Sequence, residues 1–99
     1  MSDVAELPEI SAEQMARAIP SGVRRRLMAG QVDQGADVVA LRRFLGLTQE
    51  QLAAAMGISV HTLRNWEQGR RRPEGPALAL LRIIARHPRV ILENVRPAA

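Results

Sequence analysis

Four side chains near the middle of the chain have the chemistry needed to contact the edges of DNA bases. They share the outward face of one predicted helix: Val60, His61, Arg64 and Asn65. Arginine can form two hydrogen bonds to guanine, asparagine can form two to adenine, and valine can contact the methyl group of thymine. Because an α-helix fits the major groove of B-DNA, this helix predicts sequence-specific DNA binding.

The segment that would position these side chains, TQEQLAAAMGISVHTLRNWEQG, predicts two short helices joined at a glycine turn. Thr48 is the expected N-cap of the first helix, and Gln51 three positions later completes a capping box. Gly57 provides the turn, Ser59 caps the second helix, and Gly69 is the expected C-cap.

The second helix of this pair is expected to pack on the first through its apolar face. Leu63 and Trp66 point back towards the core, and Ala53 is small where the two helices cross. Trp66 lies on the same stripe as Leu63. We therefore interpret it as a core residue and not as a platform for stacking bases.

Apolar residues at helical spacing predict three further helices after residue 36 and no strand. Asp37 is the candidate N-cap of the helix that precedes the pair, and Gly46 ends that helix. Pro76 fits the first turn of a later helix, and Pro88 begins a last short one. The sequence therefore predicts a compact all-α domain of five helices over residues 37–99.

Residues 1–36 are predicted to form a separate, partly helical extension. A serine N-cap and apolar spacing predict a short helix over Ser11–Ile19, and VRRRLMAG favours a further basic turn. Helices this short are marginal alone in water. They must pack on the domain, pair with another chain, or remain mobile until a partner arrives, and the sequence leaves these alternatives open.

The distribution of charge adds modest support for DNA binding. The chain holds 14 basic residues, all arginine, and 10 acidic residues, which gives a net charge of +4. Residues 1–36 carry 4 arginines and 5 acidic residues, whereas residues 37–99 carry 10 arginines and 5 acidic residues. Phosphate binding requires clustered positive charge, although many soluble surfaces also carry excess charge.

Missing residue types argue against an enzyme, a metal site and export. Without cysteine, lysine or tyrosine, and with two histidines far apart, little remains to build a nucleophile or general base. No glycine loop for phosphates is present, and His61 has no partner at ligand spacing, so no cofactor is expected. The acidic start is unlike a signal peptide and no apolar run could span a membrane, which favours the cytoplasm.

The spacing from Asp37 to Asn94 resembles the helix-turn-helix of phage-repressor-type regulators, the XRE or Cro/C1-like family. The longer string TLRNWEQGRRRPEGPALALLRIIARHP is similar to HigA-type antitoxins, which partner RelE-like toxins. The resemblance implies a phage-repressor-like fold that reads bases from the second helix of the pair. Phage repressors often place glutamines where Val60 and His61 stand, so their operator sequence cannot be transferred.

The same resemblance implies a second set of residues that contact DNA phosphates. Gln49 matches the phosphate-contacting glutamine of the family at a helix N-terminus, where main-chain N–H groups favour an anion. The arginines after the pair could instead form a solvated charge cluster, but the preceding helices favour phosphate contact. The expected phosphate contacts are Gln49, Ser59, Thr62, Arg70, Arg71 and Arg72.

Two macromolecular partners follow from the resemblance. The chain would bind a double-stranded DNA operator and repress its own operon, and it would neutralise a RelE-like toxin through another surface or through residues 1–36. A stand-alone repressor and an interaction module without specific DNA binding are the alternatives.

A homodimer is expected through the last helices, because one small domain cannot easily bury all their apolar residues. The residues expected at this interface are Ile84, Ile91, Leu92 and Val95.

Overall fold

The computed structural model describes residues 21–95, which form six α-helices and no strand. The helices are α1 (Ser21–Met28), α2 (Gly35–Leu45), α3 (Gln49–Met56), α4 (Val60–Glu67), α5 (Gly75–Arg86) and α6 (Pro88–Leu92). The all-α prediction is confirmed, with α2 to α6 as the five predicted helices and α1 preceding them. The helix predicted over Ser11–Ile19 lies outside the described residues. None of the six helices combines the length and apolarity needed to cross a membrane.

The ends of the central helix pair follow the predicted capping pattern. The Thr48 hydroxyl accepts a hydrogen bond from the Gln51 main-chain N–H at 3.0 Å, and the Gln51 side chain accepts from Thr48 N–H at 2.9 Å. Ser59 Oγ accepts from Thr62 N–H at 3.0 Å. Gly57 has φ of 77°, the left-handed conformation that lets the chain turn sharply between α3 and α4.

Two predicted caps are wrong in position. Gln34 is the N-cap of α2, and Asp37 lies three residues later, where its carboxylate accepts from Gln34 N–H at 3.2 Å. This arrangement of N-cap and third helical residue is a capping box. An acidic residue is compatible with both positions, so the sequence did not show which of them Asp37 occupies. At the end of α4, Gln68 is the C-cap and Gly69 follows with φ of 76°, where it still provides the left-handed turn.

The core contains residues from both sides of position 36. Leu27 on α1 and Val32 after it are fully buried in the same cluster as Leu41, Leu63 and Leu81. For residues 21–36, packing on the domain is therefore the alternative that holds. The predicted boundary at residue 36 does not fall at an edge of the core, and a separate role for residues 1–36 stays a prediction.

An ion pair joins α1 to α2. Arg26 donates from Nε to Asp37 at 3.0 Å and from Nη2 at 2.9 Å, and it also contacts Asp33 at 3.0 Å. Hydrogen bonding to Asp37, with the charges of both carboxylates, raises the pKa of the Arg26 guanidinium. Because the Asp37 side chain is buried, Arg26 compensates a charge that water does not reach. Arg86 adds a bond from Nη2 to the Ala29 carbonyl at 3.1 Å.

The packing of the last two helices differs from expectation. Ile84 and Ile91 are 0% and 3% exposed, so the expectation that one domain cannot bury them is wrong. Leu92 and Val95 are half-buried against the same core. The large apolar residues of these helices that are exposed are Ile83 and Val90. Periodicity did not distinguish Ile83 from its neighbour, because the buried face of α5 depends on what packs against it.

Candidate nucleic-acid interface

The predicted base-reading residues lie on the outer side of α4. His61 and Arg64 are exposed, while Val60 and Asn65 are half-buried. None of the four is fully buried, although Val60 packs against the edge of the core. On the opposite side, Leu63 and Trp66 are buried in the core, as predicted. The helix therefore has one face fixed by packing and another face available to a partner.

The predicted phosphate-contacting residues surround this face. Gln49 is the first residue of α3 and is half-buried, and Arg70, Arg71 and Arg72 form an exposed loop after α4. The main-chain N–H groups of Arg70 and Arg71 both donate to the Asn65 carbonyl, at 2.9 and 3.3 Å. These bonds fold the start of the loop back onto the end of α4, so the arginines stay close to the base-reading face.

Ser59 and Thr62 are less free than their sequence suggests. Their hydroxyl oxygens lie 2.9 Å apart and share one hydrogen bond, while Ser59 Oγ also caps α4. Only one of the two hydroxyl protons is used in this bond, so the other can donate to a phosphate oxygen.

An open cleft of about 460 Å³ brings the two predicted sets together. His61 and Asn65 line it from α4, and Arg71 and Arg72 line it from the loop. Glu74 contributes the one carboxylate of this lining. Groups that could bond bases thus lie beside groups that could bond phosphates.

A chain of hydrogen bonds connects the protein interior to Arg64. Glu67 accepts from Arg42 at 2.7 and 3.1 Å, and the two side chains are 6% and 17% exposed. Gln49 Nε2 donates to Glu67 at 3.0 Å, and Gln49 Oε1 accepts from Arg64 Nε at 3.1 Å. Arg64 Nη2 then contacts Glu50 at 3.3 Å. Both Gln49 and Arg64 are therefore oriented before any partner arrives.

Gly35 allows the start of α2 to lie close against the end of α4. A Cβ atom at this position would lie 2.7 Å from the Glu67 carbonyl oxygen and 2.8 Å from that of Trp66. Only glycine lets the start of α2 approach the end of α4 this closely. The contact places the positive end of the α2 dipole against carbonyls at the negative end of α4, which is favourable.

Sequence reasoning missed Arg42, Glu67, Glu50 and Gly35. Arg42 and Glu67 lie 25 positions apart, so no local spacing relates them. Glu50 is an acidic residue in the first turn of a helix, which is common for reasons of helix stability alone. Gly35 precedes a predicted helix start, and nothing in the local sequence indicates which element approaches it.

Comparisons with known proteins give a consistent result. A family model described as "Antitoxin component of bacterial toxin-antitoxin system, MqsA" matches residues 6–96. This match therefore begins about 30 residues before Asp37, the first residue of the resemblance described above. The protein "Antitoxin HigA-2" of Vibrio cholerae serotype O1 is 36% identical over 55 residues, which cover 56% of this chain and 53% of that protein. The chain thus spans about half the length of this curated relative.

The resemblance to XRE-like antitoxins of HigA type is confirmed by these two matches. The family model covers most of the chain, and the described part of that match is the helical domain with the exposed face of α4. The chain therefore belongs to the MqsA family of antitoxin components of bacterial toxin-antitoxin systems.

Proposed function

We propose that this antitoxin binds operator DNA through α4 and represses its own operon. The observation that carries the proposal is the outer side of α4. Arg64 is exposed there, and Asn65 lines a cleft together with Arg71 and Arg72, while Leu63 and Trp66 anchor the helix in the core. In the major groove, Arg64 would bond guanine and Asn65 adenine. The proposed activity is binding rather than catalysis, and it takes place in the cytoplasm, where the operator is accessible.

Contacts to the DNA backbone would set the register of this complex. Gln49 has one amide N–H left after its bond to Glu67, and it lies where the first N–H groups of α3 favour a phosphate. Ser59 and Thr62 would contribute their remaining hydroxyl proton. Arg70, Arg71 and Arg72 would follow the phosphates, since all three are exposed and lie directly after α4.

The proposed operator-binding form is a two-fold dimer. Ile83 and Val90 are about half exposed on α5 and α6, and a dimer interface would cover both. Leu92 and Val95 are half-buried at and after the end of α6, and they would complete the interface. Two copies of α4 would then meet successive major grooves, with half-sites about 10 base pairs apart or a multiple of that spacing.

The proposed protein partner is a toxin of RelE-like type. Membership of an antitoxin family supports a toxin partner, and the similarity to an antitoxin named HigA-2 supports the HigA-type pairing. Residues 1–36, which include α1, are the first candidate for the toxin-binding segment, and another surface of the domain is the alternative. A stand-alone repressor and a module without specific DNA binding remain the competing functions.

The DNA-binding proposal is tested by selecting duplexes from a random-sequence library and footprinting the selected site. We expect a two-fold symmetric site that is also present upstream of the gene. Selection of no preferred sequence would refute operator binding. Co-expression with a small nuclease encoded beside the gene tests the second role: the chain should form a stable complex with it and relieve growth arrest.

A further inference from the structure

Glu50 lies next to the proposed base-reading face and forms an ion pair with Arg64, the arginine of that face. The distance from Glu50 Oε2 to Arg64 Nη2 is 3.3 Å, and the two side chains are 67% and 45% exposed. Glu50 is the second residue of α3, beside Gln49 and at the helix end where the proposed complex places a phosphate. A carboxylate there interacts favourably with the helix dipole in the free protein, but it repels a DNA backbone.

The two contacts of Arg64 use one edge of its guanidinium. Gln49 binds Nε and Glu50 binds Nη2, whereas Nη1 has no hydrogen-bond partner within residues 21–95. The edge formed by Nη1 and Nη2 can therefore still form two hydrogen bonds to guanine. The charge of Arg64, by contrast, is partly neutralised by Glu50, so it attracts phosphates less strongly.

This arrangement separates the two kinds of DNA binding. Affinity for non-specific DNA comes from neutralising phosphates and depends on the number of available cations. Affinity for an operator adds directional hydrogen bonds to bases, which Glu50 leaves in place. A residue that weakens non-specific binding more than it weakens operator binding therefore raises the ratio of operator affinity to non-specific affinity.

We propose that Glu50 is a specificity-determining residue, which suppresses non-specific DNA binding by serving as the counter-charge of Arg64 while leaving the Nη1–Nη2 edge of Arg64 free for guanine. The inference rests on the proposed function and adds a residue that carries no base contact itself. An exposed ion pair of this kind is weak and screened by salt, so the effect is modest and largest at low ionic strength.

The test compares Glu50→Gln with the unchanged full-length chain on two duplexes of equal length, the selected operator and a scrambled sequence. We expect the variant to bind the scrambled duplex about two- to fivefold more tightly at low salt, with a smaller gain on the operator. Its dependence on salt concentration should also steepen by up to about one released ion, because Arg64 becomes available to a phosphate.

Two controls separate this mechanism from a general change in charge. Glu93→Gln removes one exposed carboxylate beyond α6, and we expect it to leave the ratio of affinities unchanged. In an Arg64→Ala background, Glu50→Gln should no longer raise binding to the scrambled duplex. A gain equal to that of Glu93→Gln, or a gain that persists without Arg64, would overturn the proposal. Thermal unfolding of each variant checks that the fold is intact.

The outcomes also distinguish this inference from the function on which it rests. If neither the unchanged chain nor Glu50→Gln binds any duplex, operator binding and the role of Glu50 both fail. If the unchanged chain prefers the operator and Glu50→Gln keeps the same preference, only the role of Glu50 fails.

Discussion

Arg42 on α2 and Glu67 on α4 form an ion pair with two hydrogen bonds, the shorter of 2.7 Å between Nε and Oε2. Arg42 also donates from Nη1 to the Leu47 carbonyl at 3.2 Å. The pair thus ties α2 and the start of the next loop to the end of α4, and through Gln49 it reaches Arg64.

Replacing Arg42 by alanine should destabilise the fold strongly, because Glu67 would remain as a buried charge without its partner. We expect a loss of about 2–4 kcal/mol in the free energy of unfolding, measured by urea denaturation. Arg43→Ala, at the exposed position next to it, should change this energy by less than about 0.5 kcal/mol. Similar losses for the two variants would show that the buried pair is not needed.

Replacing Gly35 by alanine should also be costly, because its Cβ would overlap two main-chain oxygens that cannot rotate away. We expect a loss of about 1–3 kcal/mol, since the helices must separate to relieve the overlap. Gly22→Ala is the matched control, because Gly22 lies in α1 with no atom within 4 Å of the added Cβ. Alanine there should be neutral or stabilise by about 0.5–1 kcal/mol. A stable Gly35→Ala variant would contradict the close approach of α2 and α4.

The burial of α1 can be tested in the same way. Leu27→Ala should cost about 2–4 kcal/mol, because it empties a fully buried position. Met28→Ala changes the adjacent residue, which is 56% exposed, and should cost far less. Equal effects would mean that α1 does not pack on the core in solution. For the same reason, a chain that begins at Asp37 should be less stable than one that begins at Ser21.

Substitutions in the proposed DNA interface should differ in how they depend on sequence. Arg64→Ala or Asn65→Ala should weaken operator binding by about 1–3 kcal/mol and relax the preference at one base position. Arg71→Ala should weaken the operator and a scrambled duplex alike, because phosphates are the same in both. Unchanged operator affinity after Arg64→Ala and Asn65→Ala would exclude this face of α4 from base reading.

The proposed dimer depends on exposed apolar residues and not on those buried in the core. Ile83→Glu should shift the chain towards monomers in sedimentation equilibrium, because it places a charge in the interface. Met28→Glu, at another exposed apolar position on α1, should leave the oligomeric state unchanged. If both variants and the original chain sediment as the same species, the dimer does not form through α5.

Local chemistry in the sequence determined much of the fold. Thr48, Gln51 and Ser59 bond residues only three positions away, so the ends of α3 and α4 could be predicted without knowing the rest of the molecule. The turn at Gly57 and the buried stripe of Leu63 and Trp66 follow from equally local patterns.

Long-range contacts decided what the sequence left open. Packing buried Leu27 and Val32, and therefore joined residues 21–36 to the core, although so short a helix would not be stable alone. Packing also buried Ile84 and left Ile83 at the surface. The face of α4 that is available for contact could be derived from the helical spacing of apolar and polar residues. The network from Arg42 to Glu50 could not, because its members meet only when α2, α3 and α4 are assembled.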